Sequence, residues 1–168
     1  MAPFFKNDIE VLNYALTLEH LENEAYKVIN ASGKLTGKNV PYLKIIGAHE
    51  QAHVDGLTAA ISKAGATPVK ARKSYNFAAL GDLTTEAGLL KVAQKMEEIG
   101  VGAYNGAGIE IMDKKILGTA GQIVEVEARH TGLLRALNNV APADAFPKAM
   151  TPQEVLAIVT PVLGAEQQ

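Results

Sequence analysis

The sequence predicts an all-α fold, a four-helix bundle with a long crossover between helices 2 and 3 and a short C-terminal helix. Apolar residues recur at helical spacing almost throughout, whereas the alternation typical of strands is nearly absent. Two long helical segments, a long link and two further long segments follow one another, as in a bundle with one crossover. We expect a single domain over residues 1–168, with the bundle at about 8–139 and the tail and short helix at about 140–168.

Start and stop signals give the expected bounds of each element. A capping pair, Asn7 and Glu10, starts helix 1, Pro41 suits the first turn of helix 2, and Thr151-Pro152 starts the last helix. The predicted spans are 8–30 for helix 1, about 41–64 for helix 2, 66–83 for the crossover, 84–112 for helix 3, 113–115 for a turn and 117–139 for helix 4.

Helix 3 has an unusual number of glycines, namely Gly100, Gly102, Gly106 and Gly108. Each costs about 1 kcal/mol relative to alanine in a helix interior. They predict either a close approach of another helix or a looser helix 3.

Composition excludes several classes of function. The net charge is -2 and there is no basic cluster with interleaved aromatics, so nucleic acid is not expected as a partner. No cysteine is present, which excludes disulfides, thiolate metal sites and cysteine nucleophiles. The least charged stretch is too short for a membrane span.

Each long helix carries a glutamate in the middle of its apolar stripe. These are Glu19, Glu50, Glu97 and Glu127, and His53 and His130 follow two of them at the i, i+3 spacing that shares a helix face. Unpaired buried carboxylates cost several kcal/mol. Two divalent ions would offset four such charges, and a mixed set of carboxylate and imidazole ligands suits iron or manganese.

The pattern also repeats within the chain. Tyr26 follows Glu19 by seven residues and Tyr104 follows Glu97 by seven, and a Glu-x-x-His pair comes after each. One such pair is a weak signal, but two copies in register are a strong one. The repeat predicts two helix pairs related by a pseudo-twofold axis through a metal pair.

Four segments resemble the ferritin-like superfamily of di-iron carboxylate proteins, and more narrowly its family linked to desiccation and stress. They are Leu12–Glu22, His49–His53, Glu97–Tyr104 and Glu127–His130. The resemblance implies two iron ions, with manganese or a mixed pair as the alternative, held by the four glutamates and two histidines. It implies that Glu50 and Glu127 bridge the ions. It also implies ferroxidase or peroxidase activity with O2 or hydrogen peroxide as the substrate.

Other interpretations stay open at this point. Tyr26 and Tyr104 fit redox-active groups, hydrogen-bond donors to carboxylates or plain core residues. The metals could be structural in a stress-protective or interaction protein. His49 and His53 also form an H-E-x-x-H motif, which in a zinc protease would bind zinc with Glu50 as the base. Two more acidic residues, Glu22 and Asp55, are candidates to orient a histidine.

Location and assembly are less constrained. The first residues lack the charged and apolar regions of a signal peptide. We therefore expect a cytoplasmic protein if Met1 is native and an exported one if a signal was removed. A homo-oligomer is compatible with the sequence.

Overall fold

The computed structural model describes residues 3–164, so the ends of the predicted domain, 1–2 and 165–168, lie outside the described residues. The described chain contains five α-helices and only one isolated β-bridge, which confirms the all-α prediction. No helix within residues 3–164 is long and apolar enough to cross a membrane. The helices are α1 (Asp8–Ala31), α2 (Asn39–Lys63), α3 (Glu86–Ala107), α4 (Lys114–Leu137) and α5 (Pro152–Val159).

Side-chain caps explain where most helices start. Asn7 accepts the amide of Glu10 at the start of α1, but the Glu10 carboxylate accepts the amide of Lys6, so the predicted capping pair is only half formed. Thr85 caps α3. At α5, Thr151 and Glu154 form a complete capping box, as the sequence predicted.

Two predicted boundaries around the α3–α4 turn were wrong. Helix α3 ends at Ala107 and continues only as a short 3₁₀ turn to Glu110, rather than reaching Met112. Helix α4 begins at Lys114, three residues earlier than predicted, because the Asp113 side chain accepts the first free amides of the helix. The two lysines that suggested a turn therefore form the first turn of α4.

The four long helices form two hairpins that pack against each other. Short connections join α1 to α2 and α3 to α4, and α1 also packs against α3. The amino end of α1 lies at the carboxyl end of α3, since the Asp8 carboxylate accepts the amides of Met112 and Asp113. Helices α1 and α3 therefore run antiparallel.

The link from α2 to α3 is the predicted crossover and runs along α1. Its first part lies beside Asn13 and His20, where Asn13 accepts the amide of Val69 at 2.8 Å. Its far end reaches the start of α3, where Glu86 accepts the amide of Thr36. Residues 74–76 pair with 162–164 after α5, so the crossover is held on two sides.

The tail before α5 explains two of the α3 glycines. Met150 donates its amide to the carbonyl of Gly102 at 2.9 Å. A Cβ at Gly106 would lie 1.8 Å from the Met150 carbonyl oxygen. The close approach predicted from the glycines is therefore real at Gly102 and Gly106, but the approaching element is extended chain, not a helix. At Gly108 no neighbour among the described residues would contact a Cβ.

Candidate metal centre

The four glutamates face one another in the middle of the bundle. Each of the four is 0% exposed. They separate two apolar clusters, one that includes Tyr26, Ile46 and Leu134 and one that includes Leu16, Leu57 and Tyr104. Because each helix contributes one glutamate between residues of the two clusters, the bundle brings four carboxylates together at mid-height.

The predicted ligands form two groups that share two members. The first contains Glu19, Glu50, His53 and Glu127, and the second contains Glu50, Glu97, Glu127 and His130. Within each group, one ligand atom from every residue lies within 4.8 Å of the others. The structure thus brings all six residues together, and Glu50 and Glu127 are the carboxylates common to both groups.

Both histidines point the same ring nitrogen into the carboxylates. His53 Nδ1 lies 3.2 Å from Glu19 and from Glu50 and 3.0 Å from Glu127. His130 Nδ1 lies 3.1 Å from Glu50 and from Glu97. Each nitrogen faces several carboxylate oxygens, and a single proton cannot serve all of them.

The two tyrosines connect the hairpins in a crossed pattern. Tyr26 on α1 donates its hydroxyl proton to Glu97 on α3, and Tyr104 on α3 donates to Glu19 on α1 at 2.5 Å. Each tyrosine thus orients the glutamate of the opposite hairpin, as expected of a pseudo-twofold arrangement. This contact supplies the hydrogen-bonding role that the sequence left open.

The crowding of buried ionisable groups shifts the pKa values of the glutamates and histidines at this site. Burial raises the pKa of Glu19 to about 8 despite its contact with His53, and burial raises the pKa of Glu127 well above its usual value. Burial also opposes the charged form of Glu50, but contacts with His130 and His53 outweigh it and lower the Glu50 pKa to about 2. Burial likewise disfavours charged His53, yet contacts with Glu127, Glu19 and Glu50 raise its pKa to about 12. In the absence of a cation, these shifts favour protons on the histidines and on some of the carboxylates.

Carboxylate oxygens that accept no aligned hydrogen bond make this site suitable for cations. Among residues 3–164, Glu50 Oε1 and both carboxylate oxygens of Glu127 are buried without an aligned hydrogen-bond donor. Such atoms cost free energy unless something positive binds them. They belong to the two glutamates common to both groups, and their oxygen chemistry, completed by imidazole nitrogen, suits iron or manganese.

His49 lies outside both ligand groups. It is exposed, its ring lies edge to edge with that of His130 with centroids 5.2 Å apart, and its Nδ1 lies 2.9 Å from Nε2 of His130. A zinc protease would need His49 and His53 on one ion, so this geometry does not support that alternative. With a cation on Nδ1 of His130, its Nε2 would carry the proton and donate a hydrogen bond to His49, which would fix the tautomer.

Replacing His49 should therefore weaken the half of the site that contains His130. We expect His49→Ala to lower metal affinity by about 10–100-fold, the usual effect of removing a partner behind a ligating histidine. Calorimetric titration of metal-free protein with Mn(II) measures this. His20→Ala is the matched control, because His20 hydrogen-bonds to the crossover carbonyl of Val69 and belongs to neither ligand group. Equal Mn(II) affinities in His49→Ala and His20→Ala would contradict the proposed support of His130 by His49.

Of the two acidic residues considered for orienting a histidine, neither does so. The Asp55 carboxylate accepts a hydrogen bond from Gln51. Glu22 is buried beside the four central glutamates, and burial raises its pKa well above the usual value. Its position could have been inferred from spacing, since it lies three residues after Glu19 and four before Tyr26 on the same helix face.

Comparisons with known proteins agree with this architecture. A conserved hypothetical protein from Mycobacterium tuberculosis superposes with a TM-score of 0.71 at 17% identity, covering 77% of this chain and 96% of that one. A hypothetical protein from Methanococcus jannaschii gives a TM-score of 0.68 at 15% identity, covering 99% and 98% of the two chains. At such identities the likeness shows the fold alone.

Sequence comparison identifies the family directly. No curated protein matches the chain at a significant level. The family model described as "Ferritin-like domain" matches residues 7–140, which contain all four long helices and every predicted ligand. The chain therefore belongs to the ferritin-like domain family.

Proposed function

We propose that the protein holds two metal ions, iron in the first place, and uses them to reduce O2 or hydrogen peroxide, as a ferroxidase or peroxidase. The observation that carries the proposal is the pair of four-residue groups that share Glu50 and Glu127. Two shared carboxylates would hold two cations side by side, and such a pair could supply two electrons. A single structural ion would not need a second group.

The six residues have distinct roles in this proposal. Glu50 and Glu127 would contribute carboxylate oxygens to both ions. Glu19 and His53 would complete the ligands of one ion, and Glu97 and His130 those of the other. The hydroxyls of Tyr104 and Tyr26 hold the two terminal glutamates in place. Carboxylates suit this task because they can change between terminal and bridging modes and favour the higher oxidation state.

Two bound Fe(II) ions would supply one electron each, enough to reduce hydrogen peroxide with two protons to two waters, or O2 with two protons to hydrogen peroxide. The surrounding apolar clusters exclude water and side reactions. The histidine side is nearest to solvent, because the side chain of His53 is 11% exposed whereas the glutamates are fully buried. Small oxidants therefore have their shortest path along this side.

The proposal includes a choice of metal and a physiological context. Manganese or a mixed pair is the alternative to iron, since these ligands do not discriminate strongly between the two. Consuming peroxide or free Fe(II) would protect a stressed cell, which is the role implied by the resemblance to the desiccation- and stress-linked family.

Aerobic addition of Fe(II) to metal-free protein tests the activity. We expect oxidation much faster than in buffer, followed by ferric absorbance and by consumption of O2 or added peroxide. In Glu50→Ala and His130→Ala the rate should fall by more than about 100-fold, because loss of a ligand exceeds the 10–100-fold effect of losing its outer partner.

Glu98→Gln is the matched control, because Glu98 neighbours Glu97 in sequence but its side chain is 41% exposed. It should retain the wild-type rate. Stabilisation by metal without oxidation would contradict the enzymatic proposal and favour a structural metal pair. Wild-type protein that isolates with one zinc ion and no iron or manganese would contradict the metal pair itself.

A further inference from the structure

A fifth glutamate is buried at the centre and has no role in the scheme above. Glu22 is 3% exposed, and its Oε2 has no hydrogen-bond partner among residues 3–164. Burying an unpaired carboxylate costs several kcal/mol. The usual compensation, an arginine, lysine or donor side chain, is not found beside it in the described part of the chain.

Glu22 has mainly apolar neighbours on one side, and its charged neighbours are the glutamates of the metal centre. A small cavity, large enough for about one water, lies against Glu22 and Gly100. The other residues that line this cavity are all apolar: Leu18, Leu21, Leu80, Met96, Ile99 and Val159. The charges that act on Glu22 come from Glu127, Glu19, Glu97 and Glu50, all in the metal centre.

Gly100 provides the space that Glu22 occupies. A Cβ at Gly100 would lie 2.9 Å from Glu22 Oε1 and 3.4 Å from Glu127 Oε2. Any side chain there would displace Glu22. Both carboxylates therefore approach one point on α3, so Glu22 lies beside Glu127, which belongs to both ligand groups.

We propose that Glu22 is a seventh protein ligand of the metal pair, a carboxylate that binds on the Gly100 side next to Glu127. This rests on the proposed function, since it requires the two ions. Four carboxylates balance two divalent ions, and a fifth leaves the divalent pair with one excess negative charge. With two trivalent ions the same five carboxylates leave one positive charge. Glu22 therefore favours the oxidised pair over the reduced pair.

Titration of metal-free protein with Co(II) tests this without measuring turnover. The visible absorption of Co(II) strengthens when the coordination number falls, so it reports the loss of a ligand. We expect Glu22→Gln to retain two ions per chain, to bind them about 10–100-fold more weakly, and to absorb more strongly per ion. Glu24→Gln is the control, because Glu24 is on the same helix but pairs with Lys27. It should match wild type.

Gly100→Ala provides a second variant that keeps the carboxylate and removes its space. It should reproduce the spectral change of Glu22→Gln, and the double variant should change no further, because both substitutions act on one interaction. Circular dichroism establishes that each variant is folded.

Identical affinity and spectrum in wild type, Glu22→Gln and Gly100→Ala would overturn the proposal while leaving the metal pair intact. Three ions in wild type with one lost in Glu22→Gln would also overturn it, by showing a separate cation site. Wild-type protein that binds no Co(II), Mn(II) or Fe(II) would overturn this inference together with the proposed function.

Discussion

Loading the metal-free protein with Fe(II) under anaerobic conditions, or with Mn(II), should raise its thermal midpoint by about 10–20 °C. Each site filled at 100 times its dissociation constant contributes about 2.7 kcal/mol. A chain of this size gains about 2–4 °C per kcal/mol. The physical reason is that cations displace protons from the buried carboxylates and remove the electrostatic repulsion between them. Differential scanning calorimetry of the metal-free and loaded protein measures the shift.

The substitution Glu127→Gln should affect the thermal stability of the metal-free and the metal-loaded protein in different ways. In the metal-free protein, Glu127→Gln should be neutral or stabilising, because burial already favours the protonated form of this carboxyl and an amide replaces it. In the loaded protein it should remove most of the metal-induced rise, since Glu127 belongs to both ligand groups.

Metal content after gel filtration gives an independent measure of the same arrangement. We expect about two ions per chain in wild type, about one in His53→Ala and close to none in Glu127→Gln, because His53 belongs to one ligand group whereas Glu127, like Glu50, belongs to both. Wild-type metal content in Glu127→Gln, or destabilisation by this change of the metal-free protein alone, would contradict the shared-carboxylate geometry.

Gly106→Ala should destabilise the protein by about 3 kcal/mol, the upper part of the range for overpacking. The new Cβ would overlap the backbone carbonyl of Met150, which lies only 1.8 Å from its position and cannot rotate away. The tail must then detach from α3 or the helix must shift. Calorimetry should show a midpoint about 6–12 °C lower.

Gly118→Ala is the matched control for this prediction. Gly118 lies within α4, is exposed, and among the described residues has no neighbour that a Cβ would meet. Alanine there should stabilise the protein by about 0.5–1 kcal/mol through helix propensity alone. Opposite signs for the two substitutions are expected. Stabilisation by both would show that the tail does not pack on α3 in solution.

Much of the fold follows from local sequence signals. Helix α1 was predicted within a residue of its observed bounds because Asn7 and Ser32-Gly33 act on their own neighbours. The start of α4 was missed because Asp113 can cap a helix as easily as it can form a turn. Helix α3 stops at Ala107, where the backbone passes into a tighter turn beside Gly108.

The ligand set was also readable from spacing. Glu50 with His53 and Glu127 with His130 share helix faces by their i, i+3 separation, and the repeated tyrosine interval selected Glu19 and Glu97 over their acidic neighbours. All six residues meet in the structure. That they bind metal stays a prediction, tested by the titrations described above.

Sequence alone thus determined which residues lie on the inner face of each helix, because that depends on a fixed helical period. Tertiary packing decided which carboxylates two cations would share, that His49 lies behind His130, that Glu22 lies beside the same centre, and that the tail covers Gly102 and Gly106. These contacts join residues far apart in the chain. They depend on how the helices are rotated and spaced against one another, and no local periodicity encodes that.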